Sequence, residues 1–175
     1  RRYFFFNPVT LAFRGMHYAR YGADAEDSRL SQLFLGYETL IRGYAPRSFD
    51  GSECTAVPGE PQACPEFERL LGSKLAVGNV ELRIPFFGTE EFGLIPQSFI
   101  PTEIAFFFDG GLAWTEDSDP ELTFTTDEAG RIPVFSAGAS ARLNILGRLV
   151  FEFYYAHAFQ RGDKGQFGFH VAPGW

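Results

Sequence analysis

The sequence predicts an all-β protein, an antiparallel transmembrane β-barrel. Segment after segment alternates apolar and other residues with the period of two that is typical of β-strands, and helical periodicity is nearly absent. The face opposite the apolar residues is rich in Gly, Ala and Ser with isolated charges, which suits a barrel lumen. The connections between these segments also alternate in length, as they do in bacterial outer-membrane barrels.

The composition limits the class of protein. The chain has 175 residues, 17% of them aromatic, with 21 Phe. This content suits a soluble β protein and equally a membrane barrel, whose strands are only half apolar. No apolar stretch approaches the ~20 residues that a membrane-spanning helix needs. The net charge of −7 argues against nucleic acid as a partner.

Six predicted strands follow a short first segment, Arg2–Phe6, that looks like the end of another strand. In the third of them, Phe106 and Phe108 share one face, and Phe107 and Asp109 share the other. A further run before Arg42, residues 33–41, also looks like a strand. The six strands are about residues 9–21, then KLAVGNVELRIPFF, TEIAFFFDGGLAW, VFSAGASARLNIL, RLVFEFYYAHAF and GQFGFHVAPGW.

The apolar faces of these strands are expected to meet lipid. Trp114, Tyr155, Phe159 and Trp175 lie near strand ends and would form an aromatic girdle at the membrane interfaces. In a soluble β-sandwich the large residues would face a core, and the polar face would be rich in Lys, Glu and Thr. That alternative predicts extraction from membranes by buffer without detergent.

The connections predict the orientation in the membrane. The loop after Arg42 and the acidic loop over about residues 115–133 are long, the connection at about 88–101 is intermediate, and the turn Leu146-Gly147-Arg148 is tight. Outer-membrane barrels have short periplasmic turns and long external loops. We therefore expect the acidic loop and the loop with both cysteines outside, and the C-terminus on the periplasmic side.

Cys54 and Cys64 are the only cysteines, in a segment rich in Pro, Gly and Glu. Two thiols that close a short surface loop predict a disulfide and an oxidising compartment, and two unpaired surface thiols are the alternative. Neither a CxxC motif nor a Cys/His spacing points to a metal site.

Three motifs occur in order along the chain. The first is Ile41-Arg42-Gly43-Tyr44, just before the long loop. The second is the F-x-D-x-G element at residues 107–111, which includes Asp109 and Gly111. The third is the last strand, FGFHVAPGW, with alternating apolar residues and a terminal aromatic residue. Its candidate residues are Phe167, Phe169, Val171 and Trp175.

Together these motifs resemble the C-terminal barrel region of the bacterial surface antigen family. That superfamily includes the outer-membrane assembly protein BamA, its relative TamA and the transporters of two-partner secretion. The resemblance implies that the loop arginine pairs with the strand acid inside the barrel. It also implies that the last strand is a signal read by the assembly machinery, and that no nucleotide, metal or other cofactor is needed.

The pattern of residues agrees with a contact between the loop and the barrel wall. Asp109 lies on the face away from Phe106 and Phe108 and would point into the lumen. An arginine that pairs with it would gain charge-assisted hydrogen bonds in a partly dehydrated interior, and Gly43 permits close approach or positive φ. We predict that Arg42 lies within salt-bridge distance of Asp109. Tyr44 would pack on the inner wall, and further network candidates are Glu81, Arg83 and Glu152.

Six or seven strands are too few for a known single-chain barrel, for which eight is the lower limit. We therefore expect residues 1–175 to be the C-terminal part of a barrel that in the family has sixteen strands. Other domains would precede it, and a loop of about residues 36–73 would fold into the lumen. The alternative is that another chain supplies the missing wall.

The resemblance implies a role in inserting or translocating proteins at the bacterial outer membrane. The expected partners are outer-membrane lipid, the rest of the barrel or other outer-membrane and periplasmic proteins, and unfolded outer-membrane proteins as substrates. The alternatives are a passive pore, and a barrel that anchors or exports a fused enzyme or binding domain. An enzyme within this chain is not expected, because its three histidines belong to no Ser-His-Asp, GxSxG or HExxH pattern.

Overall fold

Antiparallel strands make up most of the regular structure. The computed structural model describes residues 2–55, 59, 63–91, 93–97, 99–118, 120–123, 131–162 and 165–173. The strands are β1 (Arg2–Phe6), β2 (Val9–Ala19), β3 (Leu33–Phe34), β4 (Leu71–Gly72), β5 (Lys74–Gly88), β6 (Ile95–Pro96), β7 (Thr102–Trp114), β8 (Val134–Ile145), β9 (Leu149–Ala158) and β10 (Gly165–Pro173). Short helices lie at Pro46–Ser48, Gly51–Glu53 and Pro65–Glu68. Across the described ranges, no helix is long and apolar enough to cross a membrane.

The long strands form one sheet in which each strand pairs with the next long strand along the chain. The order is β1-β2-β5-β7-β8-β9-β10, with β6 beside β5 and with β3 and β4 paired separately. From β2 onward the long strands have between 9 residues in β10 and 15 in β5. A tilted membrane strand needs about 9–11 residues, so these strands are long enough. The predicted antiparallel all-β class is confirmed.

The two faces of the sheet differ in the way that the sequence predicts. Along β7, Phe106 and Phe108 are 53% and 46% exposed, whereas Phe107 and Asp109 are 4% and 0% exposed. The exposed face carries apolar residues on β9 and β10 as well, and among the described residues these side chains are open to the surroundings instead of sealed in a core. Exposed members of this face include Phe153, Tyr155, Phe167, Phe169 and Val171.

The connections lie alternately at the two ends of the sheet. The β8–β9 hairpin has φ angles of 53° at Leu146 and 69° at Gly147, and the Arg148 N–H donates to the Ile145 carbonyl at 3.1 Å. Positive φ at both central residues of this four-residue turn matches the twist of the flanking strands, and the pairing of Ile145 with Leu149 leaves a short connection of residues 146–148. Because the strands are antiparallel, this turn shares an end with the β1–β2 and β5–β7 connections. The β2–β5, β7–β8 and β9–β10 connections lie at the other end.

The connection between β2 and β5, residues 20–73, is called the inner loop below. The prediction of a strand over residues 33–41 was wrong, because only Leu33–Phe34 is a strand. The amides of Leu40 and Ile41 both donate to the Tyr37 carbonyl, at 2.7 and 3.0 Å, so the chain turns there instead of extending. The apolar residues of this run are buried by tertiary packing and not by strand pairing.

The buried apolar core lies between the inner loop and the inner face of the sheet. The core residues of the loop are each 1% exposed or less: Leu35, Ile41, Tyr44 and Leu70. Burying a large apolar side chain stabilises by about 1.5–3 kcal/mol, so this contact holds the loop against the wall. The facing wall residues are Leu75, Val77, Ala113, Val134 and Ala158.

Some predicted residues cannot be followed in the structure. Trp175, and residues 119 and 124–130 of the predicted acidic loop, lie outside the described residues. Of the predicted girdle, Tyr155 and Phe159 are 46% and 41% exposed, and the Trp114 ring stacks on His17 with ring centres 5.8 Å apart.

A charge on the exposed face should destabilise the protein far more than a charge on the inner face. We expect Phe106→Arg to cost about 2–4 kcal/mol, the range found for arginine at the bilayer midplane of a membrane barrel. Val150→Arg, whose position lines the inner cavity, is the matched control and should cost clearly less. Urea unfolding of the full-length protein in lipid vesicles measures both. Equal costs would contradict a lipid-facing position for Phe106.

Candidate functional site

Arg42 of the inner loop is buried against Asp109 of β7. Arg42 is 5% exposed and Asp109 is 0% exposed. The arginine Nε donates to Asp109 Oδ2 and its Nη2 donates to Oδ1, both at 2.8 Å, and the Arg42 backbone amide donates to Oδ2 at 3.2 Å. The side-chain pair is therefore bidentate, the geometry that gives the strongest arginine–carboxylate contacts.

The same guanidinium contacts carboxylates on two other strands. Its Nη2 donates to Glu81 of β5 at 2.8 Å, and its Nη1 donates to Glu152 of β9 at 2.9 Å. The ring of Phe107 lies against the guanidinium plane, 3.5 Å from the ring centre to Cζ. Arg42 thus binds β5, β7 and β9 at once, and the aromatic ring adds a cation–π contact.

Strand register explains why these acids meet at one point. Asn79 of β5 lies directly opposite Asp109, and Glu81 lies opposite Phe107, two positions away on the same face. The Asn79 side-chain amide donates to Asp109 Oδ1 and to the Leu40 carbonyl, both at 2.8 Å. The asparagine therefore positions the carboxylate and also binds the loop just before Arg42.

A second arginine, Arg142, binds two of the carboxylates that Arg42 binds. Arg142 of β8 is paired in register with Glu103 of β7 and with Glu152 of β9. It donates to Glu103 at 3.0 Å and to Glu81 at 2.8 Å, and its Nε lies 3.1 Å from Glu152 Oε2. Glu81 and Glu152 are thus shared between two guanidinium groups.

Arg83 is the third arginine of this network of charged side chains. Its Nη2 donates to Glu81 Oε2 at 2.6 Å. Burying one unpaired charge is costly, and a buried ion pair repays its desolvation only when further hydrogen bonds satisfy both groups. In this network each arginine contacts at least one carboxylate, and Glu81 binds all three arginines. The network lines a cavity of about 560 Å³ on the inner face.

Two glycines allow the loop to approach the wall. Gly43 has φ of +90°, and a Cβ there would lie 3.2 Å from the Ala156 Cβ. Gly111 lies under the loop, where an added Cβ would collide with Ile41 Cδ1 and would lie 2.9 Å from Leu35 Cδ1. A larger residue at Gly111 would therefore displace the loop segment that carries Arg42.

Tyr44 is a second point of attachment. Its hydroxyl lies 2.9 Å from both the Phe135 carbonyl oxygen on β8 and Gln160 Oε1. The same Gln160 oxygen accepts the Phe135 backbone amide at 2.7 Å. The buried hydroxyl therefore has polar partners on the wall, as a buried tyrosine requires.

The inner loop is cross-linked beyond the segment that carries Arg42 and Tyr44. Cys54 and Cys64 form a disulfide, which confirms the predicted pairing. Beside it the Thr55 hydroxyl donates to Glu66 at 2.6 Å. Elsewhere in the loop, the hydrogen bond from the Ser73 hydroxyl holds the pKa of Glu26 below the ordinary glutamate value, and the backbone amide of Glu116 acts in the same direction.

The structure brings most of the sequence-predicted site residues together. Arg42, Gly43, Tyr44, Asp109 and Gly111 lie at the contact between loop and wall. The network candidates Glu81, Arg83 and Glu152 surround it. Phe167, Phe169 and Val171 lie apart from it, exposed on the edge strand β10.

Several residues of the site were not predicted from the sequence. Arg142 lies on the small-residue face of its predicted strand, so alternation alone could have placed it in the network. Asn79 and Glu103 share that signal. Gln160 and Arg161 follow the end of β9 in a connection, where no periodic pattern reports which way a side chain points.

The chain matches a protein family. The model of that family, described as the Omp85 superfamily domain, matches residues 5–174. No curated protein and no solved structure matches the chain. The match spans nearly every residue and is consistent with a barrel segment of the BamA/TamA surface antigen type, which confirms the resemblance drawn from the motifs.

Replacing Arg42 should leave the buried Asp109 carboxylate without its bidentate partner and remove one of the arginines that bind Glu81 and Glu152. We expect Arg42→Gln to destabilise the protein by about 3–5 kcal/mol, the usual effect of removing one partner of a buried ion pair. Arg42→Lys keeps the charge but loses the bidentate fork, so its cost should be smaller. Urea unfolding in lipid vesicles measures both. If Arg42→Gln costs no more than a change at exposed Arg148, the pairing is unimportant for stability.

Adding one methyl group at Gly111 should move the inner loop. We expect Gly111→Ala to cost about 1–3 kcal/mol by overpacking against Ile41 and Leu35. Gly78→Ala is the matched control, because it lies on the adjacent strand and a Cβ there meets nothing within 4 Å. Limited proteolysis at the exposed Arg47 reports the position of the loop. Equal rates of cleavage in the two variants would show that Gly111 does not set the approach of the loop.

Proposed function

The chain belongs to the Omp85 superfamily, and we propose that it forms the C-terminal part of a sixteen-stranded barrel that assists assembly or transport of proteins. Members of the superfamily are β-barrels of the bacterial outer membrane that insert or translocate proteins. They are assembly and transport proteins, not enzymes, and they work with outer-membrane and periplasmic partners. The observation that carries the proposal is the buried Arg42, which binds carboxylates of β5, β7 and β9.

The edges of the sheet support further strands in the complete barrel. Within the described residues, β1 pairs on one side with β2, and β10 pairs on one side with β9. An unpaired backbone group in hydrocarbon costs several kcal/mol, so a lipid-exposed open edge is not viable. Additional strands on the β1 side would close the barrel. The first of them would then meet β10, and this junction is called the seam below.

The connections support an orientation with the C-terminus on the periplasmic side. The tight β8–β9 turn shares an end of the sheet with the β1–β2 turn and with the C-terminal end of β10. The inner loop and the β7–β8 connection are long and lie at the opposite end. Short periplasmic turns and long external loops are the rule in bacterial outer-membrane barrels.

In the proposed mechanism the inner loop braces the wall and β10 receives the substrate. Arg42 and Tyr44 bind four strands or their connections, which resists deformation of that part of the barrel. In the closed barrel β10 would pair weakly with the first strand, and this contact would open sideways. An unfolded outer-membrane protein would then add a strand to the exposed edge of β10 by backbone hydrogen bonding, a general mode of peptide recognition. Phe167, Phe169 and Val171 would keep that edge in the lipid layer.

Reconstitution of the full-length protein into liposomes tests this function. An unfolded outer-membrane barrel protein is added, and its folding is followed by heat-modifiable migration on a gel. We expect folding several-fold faster than in empty liposomes, and slower with Arg42→Gln than with the exposed control Arg148→Gln. Release of trapped small solutes without faster folding of the substrate would reject the proposal and support a passive pore.

A further inference from the structure

Arg161 is a buried cation whose position the barrel fold alone does not explain. It follows β9 in the connection to β10, and its side chain is only 2% exposed. Charged side chains at the ends of membrane strands ordinarily extend into water, because burial removes their hydration. A guanidinium buried in a connection must therefore have partners that replace that hydration.

Those partners all belong to the inner loop. Arg161 Nη1 donates to the Gly43 carbonyl at 2.8 Å and to Ser48 Oγ at 2.7 Å, and Nη2 donates to the Ser48 carbonyl at 2.6 Å. Nε and Nη2 donate to the two oxygens of Glu53, each at 2.8 Å. These contacts use the planar fork of arginine, which a lysine cannot reproduce.

An aromatic ring encloses the same group. The Phe49 ring centre lies 3.9 Å from the Arg161 Cζ, and the Phe49 ring packs edge-on against Phe67 with centres 5.3 Å apart. Phe67 lies in the short helix Pro65–Glu68, just after the disulfide cysteine Cys64. Arg161 therefore contacts the segment of the loop that leads into the cross-link, and Phe49 connects that segment to the helix just after it.

The adjacent residue strengthens the link. Gln160 lies 2.9 Å from the Tyr44 hydroxyl, and Glu152 of β9 accepts from Arg42. The β9–β10 pair thus contacts residues 42–53 at its connection and along β9. Within the described residues, β10 itself pairs with β9 alone.

We propose that Arg161 is a positioning residue that couples the inner loop to the terminal strand pair β9–β10. This inference rests on the proposed function, in which a substrate strand pairs with β10. A displacement of β9–β10 breaks the Arg161 contacts and loosens residues 43–53, although Tyr44 still binds β8. Loosening of the loop in turn loosens β9–β10 by the same coupling free energy. Binding of a strand at the seam therefore alters the loop inside the barrel.

Hydrogen exchange of the full-length protein in lipid nanodiscs tests the coupling without any substrate. We expect Arg161→Gln to speed exchange about tenfold or more in residues 43–53 and in β10, the scale of losing charge-assisted hydrogen bonds. Exchange in β5 and β7 should stay unchanged, which a general loss of stability would not allow. Arg148→Gln, in the exposed β8–β9 turn, is the matched control and should change neither region.

Two further variants make the result independent of misfolding. Arg161→Lys keeps the charge and should still speed exchange in both regions, because the fork is lost. Glu53→Gln alters the loop partner alone and should speed exchange in β10, although residue 53 is distant from it in sequence. The double variant with Glu53→Gln and Arg161→Gln should raise the exchange free-energy change by less than the sum of the two single changes.

Faster exchange in residues 43–53 with unchanged β10 in every variant would overturn the coupling. So would full additivity of Glu53→Gln and Arg161→Gln. Because the measurement uses no substrate, a failure of the liposome folding assay would reject the proposed function and leave the exchange result interpretable by itself.

Discussion

The burial of one guanidinium determines the arrangement of the inner face. Arg42 can stay out of water only because Asp109, Glu81 and Glu152 reach it from β7, β5 and β9, since an uncompensated buried charge is costly. Those carboxylates in turn need cations to lie so close together. The arginines and the carboxylates therefore offset the cost of burying each other's charge. The register of the strands brings them within contact distance.

Because of this requirement, the two sides of the wall carry different kinds of side chain. The inner side carries ions, small residues and the covering loop, whereas the outer side carries exposed rings such as Phe106 and Phe108. A water-soluble sandwich would bury those rings between two sheets. Here the apolar core lies between loop and wall, so the stability of the inner side depends on the loop and that of the outer side on the surrounding lipid.

Much of this arrangement could be predicted because the period of a strand is fixed. Alternation placed Asp109 and Glu81 on the inner face and Phe106 on the outer face, and the motif around Arg42 suggested the partner. The same logic failed at residues 33–41, where apolar residues are buried by a folded loop and the backbone turns at Tyr37. It also gave no information on Arg161 or Gln160, because a connection has no period and its side chains are placed by distant tertiary contacts.

The disulfide limits how far the tip of the loop can travel. Cys54 and Cys64 are separated by 10 residues in sequence, so the covalent bridge bypasses that stretch of chain. An extended chain spans at most about 3.3–3.6 Å per residue, so the bridge shortens the contour length of the tether by roughly 30 Å. If the loop leaves the wall, the cross-link limits how far its tip can move from its two ends. Reduction of the disulfide would lengthen the chain available to the loop and extend that range.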